Sequence, residues 1–96
     1  MSTLDNSSMV VAESGHLSCE VGGELAILNV LTNKYFGLNE VGAEVWKMLI
    51  EPQKVADVIA GIEKKFEVET TRCELEVSSL LDELLAEKLI SISDQP

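Results

Sequence analysis

Leu31-Thr-Asn-Lys-Tyr-Phe-Gly-Leu-Asn39 divides the chain into two kinds of structure. Upstream of it the apolar residues alternate, as in strands; downstream they recur every three and four positions, as in helices. Within it, Thr32-Asn33 predicts a tight turn, Tyr35 to Leu38 a short strand, and Asn39 a helix N-cap. A short strand that closes a meander lies at a sheet edge, with a row of N–H and C=O groups left unpaired. The expectation is a fold built around an open edge from Lys34 to Leu38.

Upstream, His16 to Val21 reads as a first strand and Gly22-Gly23 as the two-residue turn of a hairpin. Leu25 to Leu31 reads as the second strand. It is apolar on both faces except at Asn29, which predicts a central strand covered on one side. The strand over Lys34–Leu38 is then the third. Before them, residues 1–8 are small and polar and Met9–Ala12 is too short to assign, so residues 1–12 are expected as a disordered or extended tail.

Downstream, a first helix is expected over 40–50, with Val41, Val45, Met48 and Leu49 on one stripe and Trp46 beside it, stopped by Pro52. Val55, Val58, Ile59, Ile62 and Phe66 mark a second helix, where Gly61 implies close packing against a neighbour. Thr71-Arg-Cys-Glu74 fits a capping box opening a third helix, and Leu89–Ile92 a short closing strand. The order is α+β, a three-stranded antiparallel meander followed by three helices. Residues 13–92 form the single domain and 93–96 a frayed end.

The chain has 96 residues and a net charge of −10, from 17 acidic and 7 basic residues. Both halves are acidic, so no basic patch hides behind the average, and nucleic acid and anionic membranes are poor partners. A basic or apolar peptide suits the charge better. Without a basic start and long apolar run at the N-terminus, the expected location is the cytoplasm, with Cys19 and Cys73 as two buried thiols.

Catalysis finds no support in the residue inventory. His16, the single histidine, has no acid placed to orient it and is expected at the surface. Cys73 sits among acids that disfavour its thiolate, metal-ligand spacings and phosphate loops are missing, and no cofactor is expected. The acidic pairs Glu67/Glu69 and Glu74/Glu76 read as a solvated helix face.

Asn33-Lys-Tyr-Phe-Gly-Leu-Asn39, followed by Gly42-Ala-Glu-Val-Trp46, then Val55–Ile59 with Phe66, Leu80–Leu84 and Leu89-Ile90, resembles the PqqD family and its relatives, the RiPP recognition elements. The likeness spans roughly residues 16–92 and looks most like the stand-alone leader-binding proteins of lasso-peptide clusters. It implies a winged helix-turn-helix fold. It further implies a non-catalytic protein that binds the leader of a ribosomally made precursor peptide and delivers it to a separate leader peptidase. In such proteins the leader adds as a strand to the edge of the third strand, in a groove bounded by the third helix.

Carried onto this chain, the resemblance makes the backbone of Lys34, Tyr35, Phe36, Gly37 and Leu38 the docking ladder. Alternation turns Tyr35 and Gly37 one way and Lys34, Phe36 and Leu38 the other, toward the core. Tyr35 either covers the sheet or walls the groove. Val77 and Leu81 either form the opposite wall or belong to the core, while Glu74, Ser78 and Asp82 lie along the same flank, placed to read leader lysine or arginine. Lasso leaders of this type carry a Tyr-x-x-Pro pattern, for which an apolar pocket is expected. Two other readings compete: a winged-helix DNA-binding regulator, and a structural or dimerisation subunit that pairs the same edge with itself.

Overall fold

The computed structural model describes residues 4–93. Its elements are β1 (Met9–Ala12), β2 (His16–Val21), β3 (Glu24–Asn29), β4 (Lys34–Leu38), α1 (Glu40–Met48), β5 (Gln53–Lys54), α2 (Val55–Phe66), α3 (Thr70–Ala86) and β6 (Ile90–Ser93). The expected meander is present as an antiparallel sheet in the order β2-β3-β4, and three helices follow it. A second antiparallel sheet, in the order β5-β1-β6, draws together segments from both ends of the chain.

The second sheet shifts the expected domain boundary. Met9–Ala12 is extended, but it is the central strand of that sheet, and Val10 is fully buried. The segment before it caps α2: the amides of Val55 and Ala56 donate to the carbonyls of Ser8 (2.9 Å) and Asn6 (3.0 Å). Helix α2 has no side-chain cap of its own, so the chain's start satisfies its orphan donors. Residues 1–3 and 94–96, within the expected tail and frayed end, lie outside the described residues.

The β2–β3 turn follows from Gly22-Gly23, whose φ angles of 61° and 86° are those a two-residue hairpin requires. The next turn differs from expectation. β3 stops at Asn29, because its buried side chain accepts hydrogen bonds from the amides of Leu31 (3.0 Å) and Thr32 (3.3 Å). The chain therefore turns over Val30–Asn33, with Asn33 left-handed at φ 60°.

Asn39 caps α1 as expected, its Oδ1 accepting from the amide of Gly42 at 2.9 Å. The capping box at Thr71 does not form. Helix α3 starts at Thr70, with Glu69 at the N-cap position two residues before the expected cap, after a left-handed Glu67 ends α2, so Thr71 lies within the helix.

One face of the β2-β3-β4 sheet supplies Leu25, Ile27 and Leu38 to the core, against Val45, Trp46 and Leu49 at α1 and Ile62, Val77, Leu81 and Leu84 from α2 and α3. His16 pairs with Asn29 on this face, and both of its ring nitrogens are shielded from solvent with no hydrogen-bond partner among the described residues; the expected surface imidazole is thus half-buried. Among the described residues nothing covers the opposite face. Leu17, Val21 and Tyr35 are exposed there, and Cys19, expected to be buried, shares it. Cys73 is buried and donates to the Ile59 carbonyl at 3.5 Å.

Candidate functional site

Among the described residues strand β4 pairs with β3 alone, through Leu38↔Leu25, Phe36↔Ile27 and Lys34↔Asn29, so its other edge has no partner strand. Helix α3 packs on α1, α2 and β6 but stands off from β4. Between them lies a groove of about 460 Å³, lined by Phe36, Gly37 and Leu38 of β4, by Asn39, Val41 and Gly42 at the start of α1, and by Leu75, Glu76, Ser79, Leu80 and Glu83 of α3. Its walls are mainly apolar, with hydroxyl and carboxylate groups on the α3 side.

Local signals set each wall. Alternation directs Phe36 and Leu38 inward, leaving Phe36 half-buried at the groove and Leu38 nearly buried beneath it. The Asn39 cap starts α1 immediately after β4, and Gly42 lets the helix lie close to Leu38. On α3, Leu75, Ser79 and Glu83 recur every fourth residue, and Glu76 and Leu80 sit beside them, so all five share one flank. Leu75 is 67% exposed, so it adds apolar surface to the α3 wall of the groove.

The sequence-predicted residues divide. Phe36, Gly37 and Leu38 line the groove, and Lys34 and Tyr35 border a small recess at the other end of β4 with Glu87 and Leu89. The Tyr35 side chain stands on the opposite sheet face, 76% exposed beside its cross-strand partner Leu28, and does not wall the groove. Val77 and Leu81 belong to the core, at 1% and 0% exposure, so the proposed opposite wall is corrected. Glu74, Ser78 and Asp82 lie outside the groove lining. The wall is one residue around the helix, at Leu75, Glu76, Ser79, Leu80 and Glu83, and the signal for it was the apolar pair Leu75/Leu80 left over once Cys73, Val77, Leu81 and Leu84 fill the core.

Electrostatics add little reactive chemistry. Burial, reinforced by Glu63, Glu76 and Glu74, raises the Cys73 thiol above its ordinary value, which keeps it protonated and inert. Among the described residues no group of three or more His, Cys, Asp or Glu side chains is placed to hold a metal ion, and no helix is long and apolar enough to cross a membrane. What the site offers is a hydrogen-bonding edge and an adjacent trough.

No curated protein matches the sequence. Among solved structures, the chain is similar to one described as TbiB1 in complex with the TbiA(beta) leader peptide. The TM-score is 0.74 at 22% sequence identity, over 90% of this chain and 98% of that one. The shared fold therefore includes both the meander and the helices that frame the groove. Residues 24–90, from the start of β3 through α3 to the first residue of β6, match the family described as coenzyme PQQ synthesis protein D, and the chain belongs to that PqqD family.

Proposed function

We propose that this protein is a non-catalytic recognition element that captures the leader segment of a ribosomally made precursor peptide. The leader adds as a strand to the open edge of β4 and lies in the groove against α3. The observation that carries this reading is the coincidence of two features: an unpaired strand edge, and an apolar trough alongside it with half-exposed Phe36 and exposed Leu75. Main-chain bonds to β4 supply affinity for any extended segment; the trough selects among them. Family membership and the leader-bound partner of the structurally similar TbiB1 support the same reading.

The finer proposal is that the protein hands the captured leader to a separate peptidase, in the cytoplasm and in a lasso-peptide pathway. It acts without cofactor, nucleic acid or membrane, a view the net charge of −10 favours. The test is to search the neighbouring reading frames for a short precursor and to titrate its labelled leader segment. Binding is expected at roughly micromolar Kd or tighter. Replacing Leu75 by Asp should weaken it by about tenfold or more, since it puts an uncompensated charge on a covered apolar contact. Unchanged affinity in that variant would remove the trough from the site.

A further inference from the structure

We infer that the groove reads charge as well as shape, selecting a peptide strand of the pattern basic-x-apolar-x-basic through Glu76, Leu80 and Glu83. The inference rests on strand addition to β4 and deepens it by naming the peptide chemistry.

Glu76, Leu80, Glu83 and Glu87 recur at intervals of four, three and four residues, which places them on one stripe of α3. The first three line the groove beside Phe36–Leu38, and Glu87 borders the recess where β4 begins. The stripe thus carries carboxylates toward both ends and a leucine between them. At 1.5 Å per residue, Leu80 lies about 6 Å and Glu83 about 10 Å along the helix from Glu76. An added strand repeats its inward side chains about every 6.7 Å. Three successive inward side chains therefore fall opposite Glu76, Leu80 and the Glu83 end, and long lysine or arginine stems close the remaining few ångströms.

The available countercharges fit this assignment. Among the described residues no basic side chain lines the groove itself. Arg72 pairs with Glu76 at 3.4 Å, but their side chains are 75% and 52% exposed, so the pair is solvent-screened and readily exchanged for a peptide cation. Glu83 forms no ion pair among the described residues, whereas Glu87 shares its recess with Lys34 and is the weaker reader. The acidic chain also speeds the approach of a basic peptide and opposes an acidic one.

The test uses two short labelled synthetic peptides that differ only in the pattern Lys-x-Leu-x-Lys or Glu-x-Leu-x-Glu. Affinity is read by polarisation, and location by amide chemical shifts of Lys34–Leu38. At low salt the lysine peptide should bind about tenfold more tightly, with the preference shrinking as salt rises. Glu83→Lys should erase or reverse the preference. Glu74→Lys, the same charge change on an exposed residue outside the groove, should retain most of it. Equal affinities with shifts at β4 overturn the charge pattern and leave strand addition standing; so does an equal response of the Glu74 and Glu83 variants. Absence of β4 shifts with both peptides overturns the pattern together with the strand-addition reading.

Discussion

Gly42 lies directly against Leu38: a methyl group on its α-carbon would sit 3.0 Å from the Leu38 Cβ and 3.1 Å from its Cδ2. This contact joins the end of β4 to the first turn of α1 and shapes the floor of the groove. Leu38 is 4% exposed and held in the sheet, so it has little room to retreat. Gly42→Ala is expected to lose about 1–2 kcal/mol to overpacking despite the better helix propensity of alanine, measured by urea unfolding. Gly37→Ala, whose added methyl meets nothing within 4 Å, should cost less.

The two flanks of α3 separate stability from binding. Leu81 is fully buried, and Leu81→Ala should cost about 2–5 kcal/mol. Leu75 is 67% exposed, and Leu75→Ala should change stability by less than about 0.5 kcal/mol while weakening peptide binding. Thermal unfolding and peptide titration of both variants check the division.

Asn29 fixes where β3 ends and hence where β4 begins. Asn29→Ala leaves the amides of Leu31 and Thr32 without their acceptor, in a turn that water reaches, at an expected cost of about 1 kcal/mol. Faster amide exchange across Lys34–Leu38, without loss of the helices, is the specific readout.

The two thiols should behave oppositely. Exposed Cys19 is expected to alkylate in the folded protein, and Cys73 only on unfolding. Because the folded state raises the Cys73 pKa, the folded thiol keeps its proton where the unfolded one has lost it. The unfolded state then binds fewer protons, so Cys73 makes stability fall as pH rises past the ordinary thiol value of 9.0, with no effect well below it. Urea midpoints across that range should decline in the parent and less steeply in Cys73→Ala.

The meander, the three helices and the Asn39 cap were legible in the sequence because each rests on local chemistry: alternation, paired glycines and a side-chain acceptor. The second sheet was not. Gln53–Lys54 is two residues long and Met9–Ala12 four, and they acquire strand character only by pairing with each other and with Ile90–Ser93 across the whole chain. The end of β3 was concealed by the apolar Val30-Leu31, although Asn29 within that run was the available signal for an Asx-type turn.

The site was half legible for a related reason. Alternation places Phe36 and Leu38 correctly whatever the helices do. On α3, however, apolar residues wrap more than one stripe: Val77 and Leu81 are four apart on one face, while Leu75 and Leu80, five apart, bound the neighbouring flank. Which pair faces the core depends on how α3 rotates against α1 and α2, a tertiary choice that periodicity does not encode.

Backbone hydrogen exchange of Lys34–Leu38, with and without saturating leader peptide, tests the central claim most directly. Strand addition predicts strong slowing at the β4 amides that point away from β3, with little change at the amides of the opposite sheet edge, His16–Val21. Saturable binding that leaves the β4 amides unprotected, or that protects β2 instead, would contradict it.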